Sequence, residues 1–400
     1  MRVLFLSPYP PSLIRVRPFN WIKHLAAHDH QITLLTLVSS AEESADLKQV
    51  ARYCHRVEGI PFPRWRPPWN LFLALYRPSL PLQAAYTGSR AMLCRVRQTL
   101  QKETFDVVHV EHLRGSTFAE AVDGTPTVWD AVDCISLLFE RTLHSGPSLG
   151  SRLMARADLT RTRRYEGRQA GRYAVTLVTS PEDRDALQHL VQRWGDPTAA
   201  RIVVLPNGVD LAHFAPQDVP RQSDRIIFTG KMSYHANIAA ALYLGREIMP
   251  CVWQERPDVR LQIVGKDPVP AVRALAEDPR IMVTGYVPDM RPFLATAAVA
   301  ATPIRYGVGI QNKVLEAMAM GTPVVTTSQA STALLAHEGE HFLIAESAQD
   351  FACQVIRLLR DRDLAARIAA AGRRYVEAHH DWDHLAARLE EVYRQAAEDR

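Results

Sequence analysis

The fold predicted for this chain is α/β, with two doubly wound parallel sheets in tandem, each the centre of one domain. Three observations predict it. The chain has 400 residues, too many for one ordinary core and enough for two domains of about 150–200 residues each. Short Val/Ile-rich runs without clean polar alternation recur along it, the pattern of parallel strands covered on both faces. Amphipathic stretches separate these runs, so strand and helix alternate as doubly wound sheets require.

In chain order, the first half offers strands at 2–7, 31–38, 106–110, 127–131 and 175–179. The first of them stops at Pro8 and Pro10. It is too short for a signal peptide and suits an opening buried strand. The loop that follows, 8–18, carries Arg15 and Arg17, which either meet phosphate groups or stand in solvent. No GxGxxG follows this strand, which argues against a dinucleotide enzyme. The prolines in Arg64-Trp65-Arg66-Pro67-Pro68-Trp69-Asn70-Leu71-Phe72 predict an irregular loop. That loop is either buried or a platform for a membrane interface or a sugar. Strand 106–110 places His109 inside the sheet, as a packed residue. His112 falls two residues past the strand, where ligand-facing loops occur, with Glu111 beside it. A helical stretch then carries Arg152, Arg156, Arg161, Arg163, Arg164, Arg168 and Arg172. It reads as a solvated face or as a contact for anionic lipid or a phosphate-bearing acceptor.

The pattern restarts near 201–225. Leu205-Pro206-Asn207-Gly208-Val209-Asp210 is turn-rich and 216–223 is polar, so the predicted domains are 1–205 and 206–381. Second-half strands are expected at 225–229, 260–264, 280–284, 298–302, 323–326 and 342–345, with helices such as 236–249 and 364–379. The last segment, 382–400, contains an amphipathic helix with Leu385, Leu389, Val392 and Tyr393 on one side and no strand after it to serve.

Composition narrows the class. Apolar residues are 47% and charged residues 22%, the balance of a globular protein, and the net charge of +4 is too mild to argue for nucleic acid. The five cysteines are scattered, which suits a reducing compartment and offers no metal-type pairing. No apolar run approaches the roughly 18 residues of a membrane span. The expectation is a cytoplasmic protein that touches a membrane, if at all, peripherally at its inner face.

The strongest local signal is Gly307-Val308-Gly309-Ile310-Gln311-Asn312-Lys313-Val314-Leu315-Glu316, between a strand and a helix. Glycines there let backbone N–H groups approach an anion, and the helix start adds positive potential. Lys313 adds a full charge, and Glu316, one turn in, can accept from ribose hydroxyls. A Gly-rich turn needed only for packing is the plain alternative.

From Gly309 to Val325 the chain resembles the donor-site motif of family 4 retaining glycosyltransferases, which have the GT-B fold. Asn207-Gly208-Val209-Asp210 with Phe214, the pair Gly230-Lys231, Ile263-Val264-Gly265 and Val283-Thr284-Gly285 occur in that family's order and spacing. Gly230-Lys231-Met232-Ser233-Tyr234 with Asn237, together with Gly309–Lys313, looks closest to sugar transferases of exosortase-associated (PEP-CTERM) exopolysaccharide systems. The resemblance implies two Rossmann-like domains facing a cleft, the first on the acceptor side, with a last helix crossing back onto it. It implies transfer from a nucleoside-diphosphate sugar to a sugar, polysaccharide or lipid-linked hydroxyl acceptor, with retention. No cofactor is expected, and no metal, because no Asp-x-Asp pair or His/Cys cluster is placed to hold one beside the phosphates. Lys231 stands where the family has an Arg on the donor diphosphate. Glu316 matches the ribose-binding Glu, Gly285, Tyr286 and Val287 should cradle the base, and Gly309, Ile310 and Gln311 should lie against sugar and phosphates. Two departures are plain. The family's second Glu, eight positions before Glu316, is Val308 here, and its usual Lys falls at Ala236, beside Asn237. A non-catalytic GT-B partner and a nucleotide-sugar epimerase of similar fold are the alternatives.

Overall fold

The computed structural model describes residues 1–145, 149–305 and 310–398. It divides into two compact units. One gathers residues 1–144, 149–206 and the stretch from Trp382 onward, and the other holds 207–381.

The first unit is built on seven strands: β1 (Arg2–Ser7), β2 (Gln31–Val38), β3 (Arg56–Pro61), β4 (Val107–Glu111), β5 (Thr127–Val132), β6 (Val175–Val178) and β7 (Ile202–Val204). Their order is β3-β2-β1-β4-β5-β6-β7 and every pairing is parallel. The central strands are apolar and buried because helices cover both faces. The chain runs outward from β1 to β3, then returns to the other side of β1 as β4. The carboxyl ends of β1 and β4 therefore flank the topological switch point, where doubly wound sheets bind ligands. The last helix, Trp382–Glu398, belongs to this unit. Trp382, Leu385, Leu389, Val392 and Tyr393 recur at helical spacing and are buried against the Val16–Ala27 helix and the sheet. Trp382 meets Trp21 edge-on, with ring centroids 4.8 Å apart.

The second unit has six strands: β8 (Gln222–Thr229), β9 (Arg260–Val264), β10 (Ile281–Val283), β11 (Ala297–Thr302), β12 (Val324–Thr326) and β13 (Leu343–Ile344). The order β10-β9-β8-β11-β12-β13, again all parallel, sets its switch point between β8 and β11. The predicted helix 236–249 continues further. Helix His235–Tyr243 passes through a widened π-turn, Leu244–Ile248, into Met249–Glu255. Pro250 lies just after that turn, and a π-turn accommodates a residue that cannot donate to the helical ladder.

The expected α/β architecture is found, with three local differences. Edge strands β3 and β7 were not anticipated. β3 contains Glu58 and Gly59, and β7 is three half-buried residues long. Residues 64–72 are not an irregular loop: Arg66–Ala74 is a helix with Pro67 and Pro68 in its first turn, where a missing N–H costs nothing. Arg17 is not in a loop either, because the first helix begins at Val16.

Candidate active site

In the second unit, β8 runs into Gly230 and β9 into Gly265, both with positive φ. A Cβ on Gly265 would lie 1.8 Å from the Gly230 carbonyl oxygen, and one on Gly230 would lie 2.7 Å from Asn237 Nδ2. The two strand ends thus pass at a separation that only glycine permits. Asn237, nearly buried, donates from Nδ2 to the Lys231 carbonyl at 3.0 Å. Its Oδ1 is buried and has no hydrogen-bond partner among the described residues. Its amide thus holds the Gly230–Lys231 turn, where the family resemblance expects a donor contact. Lys231 itself is half exposed, with Nζ 3.8 Å from Asp267 Oδ2 across open solvent, a pairing weak enough to yield to a ligand.

Beside β8, β11 leads through 303–311 to the helix Asn312–Ala319. Val308 and Gly309 lie outside the described residues. Ile310 is buried in the apolar cluster with Val314 and Leu315, so its side chain is core and only its backbone is left for a ligand. Gln311 precedes the helix as its N-cap and accepts from Lys313 Nζ at 3.2 Å. Lys313 and Glu316 follow on the first turns, both half-buried, beside the buried Val314, Leu315 and Ala317. Burial lowers the Lys313 ammonium to about 8, against the pull of Glu316. Burial raises the Glu316 carboxyl to about 7, against the pull of Lys313. The sequence did not single out a further link: Asn207 Nδ2 donates to Asn312 Oδ1 at 3.3 Å, tying the start of this unit to the helix start. Gly285 has φ +71 and open space where a Cβ would be. Tyr286 after it is largely exposed, and Val287 packs against the same apolar cluster as Ile310.

In the first unit, His112 follows β4 at the switch point with φ +61, an uncommon conformation for a non-glycine residue. Val132, at the end of neighbouring β5, has φ +68, a stronger outlier for a β-branched side chain. His112 Nδ1 accepts from the Arg114 backbone N–H at 3.2 Å, which assigns the proton to Nε2. Burial, then the nearby Arg114 charge, lower this imidazole to about 4, so it is neutral at physiological pH. Arg114, not anticipated from any motif, donates to Tyr9 Oη and Gln83 Oε1 and lies 4.9 Å from the Tyr86 ring centre. Only its closeness to the strand end could have flagged it.

The two arginines of the first loop differ. Arg15 is half-buried, donates to the Pro10 carbonyl and Glu43, and sits 4.4 Å over the Tyr9 ring. Arg17 is corrected from a candidate phosphate ligand to a core ion pair. It is 4% exposed, its Nε and Nη2 hold both oxygens of Asp130 at 2.7 and 3.0 Å, and Nη1 donates to the Leu205 carbonyl. No donor face is left for phosphate.

Around that pair lies a buried polar group, His109, Glu111 and Asp130, whose ligand atoms fall within 4.8 Å of one another. His109 is packed as expected, stacked on Phe5 with Nδ1 2.8 Å from Tyr393 Oη. Asp130 is already saturated by Arg17 and by Trp21 Nε1. Among the described residues, His109 Nε2 and Glu111 Oε2 are buried without a hydrogen-bond partner, beside a guanidinium that repels a cation. The donor set therefore suits an internal charge network better than a metal ion.

Fold and site together define a class, the two-domain Rossmann-like proteins of GT-B build. The chain belongs to the family 4 glycosyltransferases: residues 14–208 match the model "Glycosyl transferase 4-like domain" and residues 223–361 match "Glycosyl transferases group 1". It is 30% identical over 225 residues to phosphatidyl-myo-inositol mannosyltransferase of Mycobacterium leprae, covering 54% of this chain and 59% of the relative. The chain thus spans little more than half of that relative's length. Among solved structures, sucrose-phosphate synthase from Thermosynechococcus elongatus superposes with a TM-score of 0.72 at 16% identity, covering 100% of both chains. HepE of Anabaena, solved with UDP and glucose, superposes with a TM-score of 0.67 at 15% identity over 98% of this chain and 99% of its own. At such identities these structures carry the fold.

Proposed function

We propose that the chain transfers a glycosyl group from a nucleoside-diphosphate sugar to a hydroxyl acceptor, with retention, in the making of an exopolysaccharide or another glycoconjugate. The observation that carries this reading is the Lys313–Glu316 pair on the first turns of a helix at the β8/β11 switch point, beside the Gly230–Lys231 turn. A helix start with a cation suits a diphosphate, and a carboxylate one turn in suits a ribose diol. The charge that develops on the departing diphosphate is met by backbone dipoles, Lys231 and Lys313. The lysines, not a metal ion or another cofactor, do this work. Exposed backbone at Gly285 and the Tyr286 ring would border the base. In the first unit, His112 is assigned to the acceptor side, as a neutral imidazole that presents an Nε2–H donor. The exopolysaccharide setting rests on the sequence likeness around Gly230–Asn237 and Gly309–Lys313. The inositol-lipid acceptor named for the mycobacterial relative makes a lipid-linked acceptor a natural first trial. Calorimetric titration of UDP and GDP tests the donor assignment. Glu316→Ala should weaken the preferred nucleotide by about 1–3 kcal/mol, the loss of a charge-assisted acceptor. Unchanged affinity in a folded Glu316→Ala protein would reject it.

A further inference from the structure

The first unit carries an apolar surface that the donor chemistry does not use. On the Arg66–Ala74 helix, Trp69 and Phe72 stack with centroids 5.8 Å apart, and Phe72 meets Tyr76 edge-on at the same distance. These residues are spaced i, i+3, i+7, so the three rings form one face. The face is 52%, 49% and 75% exposed at these rings, and Trp65, Leu73 and Leu75 extend it. It is held firmly from beneath. Asn70 Nδ2 donates to the Tyr86 and Gly88 carbonyls, and Arg161 of the Leu149–Ala170 helix donates to the Ala74 and Leu80 carbonyls. Along that long helix, Leu149 and Leu153 stand at four-residue spacings from Arg161 and are also exposed. A contiguous, rigidly seated aromatic patch of this kind marks an interaction surface.

Charge identifies what covers it. Between Glu58 and Glu103 the chain has no acidic residue, yet it has Arg64, Arg66, Arg77, Arg90, Arg95, Arg97 and Lys102. Beside the rings opens a cavity of about 460 Å³, with Arg66, Arg77 and Arg90 in its wall, Trp69 and Leu73 along its apolar side, and a single carboxylate, Glu120. A second copy of the same face would set cations against cations. An anionic surface with an apolar interior complements both features: arginine and tryptophan side chains settle at a lipid–water boundary, and basic residues are drawn to acidic headgroups. No described helix is long and apolar enough to cross a membrane, so contact there would be peripheral. We infer that the Trp65–Tyr76 face docks on an anionic phospholipid bilayer, with the arginine-walled cavity receiving a phosphodiester headgroup.

The test uses the full chain with vesicles of phosphatidylcholine alone and with phosphatidylglycerol added. Cosedimentation should favour the anionic vesicles by about ten-fold or more and fall with added salt. Lipids brominated in their acyl chains should quench tryptophan emission in the wild type, and quenching should disappear in Trp65→Phe/Trp69→Phe. Trp69→Ser/Phe72→Ser and Arg66→Gln/Arg77→Gln/Arg90→Gln should each lose about ten-fold in vesicle binding while melting temperature and nucleotide affinity stay unchanged. Equal binding to both vesicle types, no binding, or full binding by the folded variants would overturn the inference. So would a concentration-dependent dimer that Trp69→Ser/Phe72→Ser abolishes, since the face would then join two copies. If a variant fails to fold, the quenching of the wild type decides alone.

Discussion

Lys313 and Glu316 bring opposite charges into a recess that favours neither. Burial moves the ammonium down to about 8 and the carboxyl up to about 7, which places both titrations near neutral pH. Such convergence belongs to binding and catalytic sites more than to structural ones. Its consequence has a sign. As pH rises through about 7, Glu316 ionises and becomes the better acceptor, and as pH rises through about 8, Lys313 loses the charge proposed to meet the diphosphate. The donor kcat/KM should therefore be a narrow bell with limbs near these two values, read as apparent constants of the pair. Lys313→Arg should remove the alkaline limb, since guanidinium stays charged. A flat profile across this range would contradict the assignment. His112 adds no limb near 6, because burial already holds its imidazole neutral. Its strained φ, with Nδ1 taken by the Arg114 N–H and the proton on Nε2, fits a positioned donor more closely than a packed ring. His112→Ala should keep nucleotide affinity within a few-fold and slow transfer by about 10²-fold. His109→Ala should act mainly on stability, because its ring stacks on Phe5 and meets Tyr393. Normal transfer by His112→Ala would move the acceptor wall elsewhere.

At the scale of elements, the donor turn depends on two strand ends passing without side chains. Gly265→Ala would drive a methyl group into the Gly230 carbonyl at 1.8 Å. Its expected cost is about 1–3 kcal/mol of stability or more, together with lost nucleotide affinity as the Lys231 turn moves. Gly339→Ala, with φ +77 but open space around it, should cost only the backbone term of about 1–2 kcal/mol and leave affinity intact. Chemical denaturation and nucleotide titration of both variants separate steric closure from simple backbone strain. Equal affinity in Gly265→Ala and wild type would show that the turn does not hold the donor. The elements also show what was legible in advance. Strands such as β1, β2 and β9 are dense in apolar residues over five to eight positions, so their pattern stands out, and in β8 the run Ile226–Phe228 marks the strand after a polar start. β3 carries Glu58 and Gly59 at a sheet edge, where one partner strand suffices and the apolar pattern thins. Residues 64–72 misled because two adjacent prolines break a helix anywhere except its first turn, and the first turn is where they sit. Arg17 was unreadable locally: its partner Asp130 is 113 residues away, and no spacing rule reports a contact of that separation. Glu316 and Lys313, by contrast, lie on the first turns of the helix that follows a glycine-rich segment, so their candidacy was visible from the sequence alone.

For the whole molecule, each unit repeats one device, a parallel sheet whose strand order reverses beside its first strand. In each, the residues of interest gather at the carboxyl ends of the two strands flanking that reversal. His112 is at the end of β4 and Lys231 at the end of β8, while Lys313 and Glu316 follow β11. This recurrence, together with membership of the family 4 glycosyltransferases, makes donor turnover the central claim. The most direct measurement incubates the full chain with a panel of UDP- and GDP-sugars and candidate hydroxyl acceptors, with and without EDTA. Chromatography reads the nucleoside diphosphate released, and proton NMR reads the sugar. One donor should yield its nucleoside diphosphate and an α- or β-linked product of unchanged anomeric configuration. The rate should persist in EDTA and fall by about ten-fold or more in Lys313→Ala. A folded chain that releases no diphosphate from any donor, that only interconverts C2 epimers, or whose activity EDTA abolishes and divalent metal restores would contradict it.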